Sequence, residues 1–203
     1  YDISASSGRS RINYNMHESL NASMGPDSPT SFYLGRLRQS EFNLNADFVY
    51  RLPLGLFEPA NIAFGAERRK ETYGIRPGDP ASYAIGAGAV TGLAPNSNGF
   101  PGFSPLNAGE WSQTSYAGYV DLEAPVTERL TLAAALRFED FSEFGSTTDY
   151  KLSGRYELTE ALAVRATTST GFRAPTPGQL QSERTSQGLD STTLNLVTSG
   201  RFS

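Results

Sequence analysis

Residues 112–172 read SQTSYAGYVDLEAPVTERLTLAAALRFEDFSEFGSTTDYKLSGRYELTEALAVRATTSTGF, and four consecutive segments within them alternate with period two. Their even-numbered positions are apolar or small, as at Leu132 and Leu136, whereas their odd-numbered positions carry the charges, as at Arg137 and Glu139. Because successive side chains of a strand point to opposite faces of a sheet, this alternation indicates β-strands. The phase persists through three turns, which predicts an antiparallel sheet with one apolar face and one ionic face.

The length of these segments distinguishes between two kinds of sheet. They run to about ten to fourteen residues, whereas soluble strands average about 5–6 residues. A strand that crosses a bilayer at a tilt needs about 9–11 residues, so the lengths favour a transmembrane barrel wall. The chain has no run of 18 apolar residues, which excludes a helical membrane span but is compatible with a barrel.

The rest of the chain follows the same rule with longer interruptions. Alternating segments before and after Gly8, at 42–52 and at 61–75 bring the predicted number of strands to eight, and 192–198 could begin another. Short connections (near Gly8, then 53–59, 125–129 and 157–161) alternate with longer ones (18–40, 76–111, 140–146 and 173 onward). Outer-membrane barrels have short periplasmic turns and longer extracellular loops, so we expect the longer connections to lie outside the cell.

The charges of the odd-numbered positions need a wet environment. A Lys or Arg that faces lipid at the midplane costs about 2–4 kcal/mol, so we expect the ionic face to line the barrel lumen. Acids and bases there should pair across strands. The predicted lumen-facing charges are Asp121, Glu123, Arg137, Glu139, Asp149, Lys151, Arg155, Glu157 and Arg165.

Composition argues against several classes of function. The net charge is −4 with scattered basic residues, whereas a nucleic-acid-binding protein needs a basic patch. Cysteine is absent and His17 is the only histidine, so neither a thiolate nor a two-histidine metal site is available. Glu67 and Glu71 alternate with basic residues, which favours a salt-bridged strand over a catalytic acid/base pair. We therefore expect no enzyme, no metal and no cofactor.

The glycine-rich segment 86–92 lacks the spacing of a dinucleotide fingerprint and predicts a flexible loop. It belongs to the long, almost uncharged connection 76–111, whose aromatic residues could stack on a sugar or a flat chelate. Arginine side chains near the outer ends of strands could hold an anionic group. The candidate ligand-binding residues are Tyr83, Phe100, Phe103, Trp111, Arg69 and Arg173.

Several motifs in order resemble those of one family. The stretch 170–175, TGFRAP, follows FEDFS at 138–142 and ALAVRA at 161–166, and NIAFGAERRKE at 61–71 also has the form of a barrel strand. The set resembles the barrel of TonB-dependent outer-membrane receptors over essentially the whole chain. The resemblance implies a fragment of a 22-stranded plugged barrel, with residues 1–203 as a partial barrel domain that lacks the plug and the terminal strands.

The same resemblance implies a function and partners. These are uptake of a scarce nutrient (a siderophore, vitamin or oligosaccharide), contact with outer-membrane lipid, and energy from the inner-membrane protein TonB, which acts through the missing plug region. Two alternatives remain open from the residues alone. One is a passive or structural outer-membrane barrel closed by the eight strands, and the other is a secreted sheet protein that binds carbohydrate.

Overall fold

A computed structural model describes residues 1–180 and, beyond them, the backbone of 187–189 and 196–198. Seven strands form one sheet in the order of the sequence, and neighbouring strands are antiparallel, so the predicted all-β fold class is confirmed. The strands are β1 (Asp2–His17), β2 (Ser31–Leu52), β3 (Ala60–Pro77), β4 (Gly109–Thr127), β5 (Leu130–Phe141), β6 (Gly145–Thr159) and β7 (Leu162–Ser169).

Short elements complete the described chain. Two single-turn α-helices, α1 (Pro80–Tyr83) and α2 (Pro177–Leu180), and two 3-10 helices (Ala22–Asp27 and Ala87–Thr91) lie in the connections. Strands β8 (Gln187–Leu189) and β9 (Leu196–Thr198) pair with each other in a separate two-stranded sheet. The further strand predicted within 192–198 coincides in part with β9, and its first residues, 192–195, lie outside the described ones. Within residues 1–180, no helix has the length and apolar character needed to cross a membrane.

The register of β4 to β7 keeps the two faces in phase. Arg137 pairs with Tyr119 on one side and with Asp149 on the other, so odd-numbered residues stand opposite odd-numbered residues. Arg155 and Arg165 continue the rule between β6 and β7. A slip of one residue would exchange the two faces of a strand. The predicted division into an apolar and an ionic face is therefore confirmed for these strands.

The even-numbered face leaves large apolar side chains in contact with the surroundings. Leu136, Leu152 and Val164 are 49%, 51% and 53% exposed, and each belongs to a different strand. Few apolar side chains are buried, and Phe32, Leu34, Ala60, Ile75, Ala117 and Phe141 make up the core of the described residues. The sheet therefore does not bury its apolar face within the described part of the chain.

Between β1 and β7, short and longer connections alternate as predicted, but the first short connection, near Gly8, is absent. Connections 18–30 and 78–108 are long and 53–59 is shorter than both, while 128–129 and 160–161 are tight turns. Connection 142–144 is only one residue longer than its two neighbours, because β5 and β6 continue through most of the predicted 140–146 loop. Since consecutive strands are antiparallel, the two long connections, 18–30 and 78–108, leave the sheet at the same end.

The structure corrects four boundaries. The turn predicted near Gly8 is wrong, because β1 runs unbroken from Asp2 to His17 and Gly8 lacks the positive φ that tight turns often need. The apolar set of β1 changes from odd to even positions within one strand. Residues 31–40 are the first part of β2 rather than loop, and Trp111 lies in β4 rather than in the long connection. Residues 87–91 form a 3-10 turn within the segment predicted to be a flexible loop.

The described chain divides into two compact units that share strands β1 to β4. The first unit comprises 1–7, 41–70 and 113–174, and it contains the two-faced part of the sheet. The second comprises 8–40, 71–112 and the described residues from 175 onward, and it contains the two long connections with the strand ends that carry them.

Candidate functional site

The second unit ties its two long connections together through a buried amide. Asn21 of connection 18–30 is 0% exposed, and its Nδ2 donates hydrogen bonds of 2.9 Å to the carbonyl oxygens of both Ala81 and Ala84. Its Oδ1 accepts a 2.7 Å hydrogen bond from Ser23 Oγ, which in turn accepts one of 2.8 Å from the Gly86 amide. Several hydrogen bonds join 18–30 to 78–108, and the three that involve the Asn21 and Ser23 side chains, with Ala81, Ala84 and Gly86 as partners, are defined here as the clasp.

Connection 78–108 is also folded on itself. The carbonyl oxygen of Ser82 accepts hydrogen bonds from the amides of Ser97 and Gly102, at 3.0 and 3.1 Å. Ser97 Oγ donates to the carbonyl oxygen of Phe100 at 2.7 Å, and both serines are almost completely buried. Because buried polar groups cost free energy unless they are paired, these bonds favour one conformation of the connection.

The clasped connection carries an aromatic cluster beside β1. The rings of Tyr14 and Phe100 stack with centroids 5.7 Å apart and planes at 9°. Phe103 meets each of them edge-on, with both centroid separations at 6.0 Å. Phe100 keeps 39% of its surface exposed. The trio, hereafter the aromatic platform, presents an apolar ring face that a sugar or a flat chelate could cover.

The other aromatic candidates lie apart from the platform. Trp111 stacks on Tyr73 of β3, with centroids 6.4 Å apart, and Gly178 lies against the Tyr73 ring. Tyr83 ends α1, is partly exposed and makes no ring contact with a described residue. The structure therefore brings together two of the four predicted aromatics, Phe100 and Phe103, and adds Tyr14. Sequence reasoning missed Tyr14 because its place on β1 gave no indication that connection 78–108 folds back to it.

The first unit carries an ion-pair network on its odd-numbered face. Glu67 of β3 pairs with Arg69 on its own strand at 2.6 Å and with Arg137 of β5 at 3.1 Å. Arg137 also pairs with Glu139 at 3.2 Å, and Arg69 donates to the side-chain oxygen of Asn43 on β2 at 3.3 Å. Arg69 is therefore held by protein groups, and its predicted role with an anionic ligand would require it to leave them.

The pattern of ion pairs differs from the expected one. Cross-strand pairs were predicted, yet Arg137–Glu139 and Arg155–Glu157 join residues two apart on the same strand. Arg137–Glu67 does cross strands, and it reaches over β4 to do so. Side chains two positions apart share a face, which makes such pairs geometrically possible. Within residues 1–180, no ion pair shorter than 4.0 Å involves Asp121, Glu123, Asp149, Lys151 or Arg165.

A shallow depression lies among these charges. It has a volume of about 370 Å³, and its lining includes Ala135 with its register partners, Asp121 of β4 and Lys151 of β6. Arg137 and Asp149 also line it. Asp47, Tyr119 and Asn43 also belong to this face, in agreement with the alternation of the sequence, although they were not among the predicted site residues.

Arg173 is the last of the predicted ligand-binding residues. Arg173 is exposed and follows Phe172, whose ring packs against Phe141 with centroids 6.0 Å apart. In the described part of the chain, no group of three or more His, Asp or Glu side chains could hold a metal ion. The arrangement can bind and orient a solute through ring faces and fixed charges.

Comparisons with known proteins agree with this architecture. The chain matches no curated protein in sequence. Among solved structures, it resembles the siderophore receptor PirA from Acinetobacter baumannii with a TM-score of 0.51 and 15% identity. The match covers 96% of this chain and 27% of that one, so the chain spans about a quarter of the length of the receptor. The family model for the β-barrel of TonB-dependent receptor-like proteins matches residues 1–199, and the chain therefore belongs to this family.

Proposed function

We propose that residues 1–203 form part of the wall of a larger outer-membrane barrel that imports a scarce nutrient with energy supplied through TonB. The family consists in general of outer-membrane receptors that transport small molecules. The observation that carries the proposal is that β4 to β7 have an exposed apolar face on one side and an ionic face on the other. Lipid tails would contact the apolar face, and the ionic face would line a water-filled lumen.

The proposal assigns the nutrient's first contact to the clasped connections. The aromatic platform offers the exposed ring of Phe100, and stacking on it requires no charge from the ligand. Residues 80–109 contain no Asp, Glu, Lys or Arg, so recognition there depends on ring faces and hydrogen bonds. The substrate classes that suit such a surface are the aromatic part of a siderophore, a vitamin ring and an oligosaccharide. Trp111 and Tyr83 would act as secondary contacts, and Arg173 would act on an anionic group.

Growth of a deletion strain identifies the substrate. The strain is supplied with single siderophores, vitamins or oligosaccharides as the sole source of iron, cofactor or carbon. We expect growth to fail on one class and to return when the full-length gene is supplied. A Phe100→Ala gene should restore growth only at higher nutrient concentration, whereas Phe57→Ala, an exposed ring in connection 53–59, should restore it fully.

The same strain separates the proposal from its alternatives. Uptake through a coupled receptor should be lost when TonB is deleted, whereas diffusion through a passive barrel should continue. A secreted carbohydrate-binding protein would be recovered from the medium without detergent. Normal growth of the deletion strain on every nutrient would refute the proposed import function.

A further inference from the structure

Two arginines stand directly opposite each other on the ionic face. Arg155 of β6 and Arg165 of β7 are register partners, and residues so placed have Cβ atoms about 4.5–5.5 Å apart. Like charges in this relationship destabilise a sheet. An arrangement that keeps both charges therefore needs something to offset their repulsion.

The described neighbours offset only one of the two charges. Arg155 Nη1 contacts Glu157 Oε1 at 2.5 Å, and no other carboxylate of residues 1–180 lies within 4.0 Å of either guanidinium. Three odd-numbered strand neighbours are neutral: Thr131 opposite Arg155 on β5, and the paired Ser153 and Thr167. Arg165 is exposed and makes no ion pair with any residue among 1–180.

Other arginines on this face are arranged differently. Arg137 pairs in register with a carboxylate, Asp149 of β6, and it also contacts Glu67 and Glu139. Arg69 contacts Glu67 at 2.6 Å. The Arg155–Arg165 pair thus differs from these in having a base opposite a base. Two guanidinium groups side by side offer several N–H donors to a single planar or tetrahedral anion.

We infer that Arg155 and Arg165 form an anion site that binds one carboxylate or phosphate group between their guanidinium groups. The group has two possible sources. It is either an acidic side chain from another segment of the full-length protein, seated over this face, or a free anion that enters the lumen. The inference goes beyond the proposed function, since it requires only that the two side chains face a wet surface.

Melting of the full-length protein in detergent tests the site and distinguishes the sources. Wild type, Arg165→Gln and Arg155→Gln are compared in sodium phosphate and in sodium chloride at equal ionic strength. Arg51→Gln, which removes an exposed charge near the end of β2, is the matched control. If a free anion is bound, phosphate should raise the Tm of wild type. Either substitution should weaken phosphate affinity about tenfold, the scale of one lost charge-assisted hydrogen bond, so that about tenfold more phosphate is needed for the same rise in Tm.

If a side chain supplies the anion, phosphate should have no effect, and Arg165→Gln should lower the Tm by more than Arg51→Gln does. If nothing bridges the pair, Arg165→Gln should relieve repulsion and leave the Tm unchanged or raise it. That result, together with no phosphate response, would overturn the inference.

If Arg165→Gln does not fold, Arg165→Lys replaces it in the same measurements, because lysine keeps the charge but lacks the planar guanidinium group. It should then show the same loss of Tm or of phosphate response to a smaller extent. Neither outcome depends on nutrient uptake, so a failed import assay would leave the result intact.

Discussion

Tyr119 Oη donates a 2.6 Å hydrogen bond to Asp47 Oδ1, although the two residues lie on β4 and β2 with β3 between them. Gly65 occupies the crossing point on β3. A Cβ atom added there would lie 2.5 Å from Asp47 Oδ1 and 2.6 Å from Tyr119 Cε1. Because Gly65 has no side chain, the phenol ring of Tyr119 can pass over β3, and its hydrogen bond links β4 to β2 on the ionic face.

Substitution Gly65→Ala should therefore destabilise the barrel, because the new methyl group displaces the Tyr119 ring. Overpacking of this kind costs about 1–3 kcal/mol, and loss of a hydrogen bond to a charged group costs about 1.5–3 kcal/mol. Urea unfolding of the full-length protein in lipid vesicles measures the difference. Gly118→Ala is the matched control, since its Cβ would meet only the Gly65 carbonyl oxygen, at 3.9 Å. Equal stability of the two variants would contradict the crossing geometry.

The contact between Arg137 and Glu67 should be energetically coupled. Arg137 Nη2 lies 3.1 Å from Glu67 Oε2 and bridges β5 to β3 over β4. Both side chains are partly exposed, at 38% and 19%, so screening limits the expected coupling to about 0.5–1 kcal/mol. A double-mutant cycle of Arg137→Gln and Glu67→Gln in vesicles measures it, and raising the salt concentration should reduce it. Strictly additive effects would show that the pair contributes nothing to stability.

The clasp should determine whether connection 78–108 resists protease. Asn21→Ala removes both donors to the carbonyl oxygens of Ala81 and Ala84, and each buried group left unpaired costs about 1–3 kcal/mol. We expect protease added to intact cells to cleave this connection in the variant much faster than in wild type. Asn98→Ala is the control, because Asn98 contributes backbone groups to its hydrogen bonds with Leu20 and Ser19. Rapid cleavage of wild type would show that the clasp does not hold.

These contacts mark the limit of what the sequence alone could predict. The faces of β4 to β7 were predictable, because parity depends only on neighbouring residues such as Leu136 and Arg137. The Tyr119–Asp47 bond and the clasp join residues 72 and 63 positions apart, and no local pattern encodes such distances. The unbroken β1 also escaped prediction, since a change of parity near Gly8 fits a turn and a continuous strand equally well.

The division of β4 to β7 into an apolar and an ionic face makes the sharpest prediction. An arginine introduced at either of two adjacent residues of one strand should affect stability very differently. Leu152 lies on the apolar face of β6 and is 51% exposed, whereas Ser153 lies on the ionic face and pairs with Thr167. An arginine that faces lipid near the midplane costs about 2–4 kcal/mol, and one that faces a wet lumen costs much less. Leu152→Arg should therefore lower stability in vesicles by about that amount, and Ser153→Arg should have a small effect. The measurement is urea unfolding of the full-length protein, with heat-modified gel mobility to confirm that each variant has folded. A larger loss for Ser153→Arg than for Leu152→Arg would place lipid on the ionic face and reverse the assignment of every strand from β4 to β7, because their register links all four.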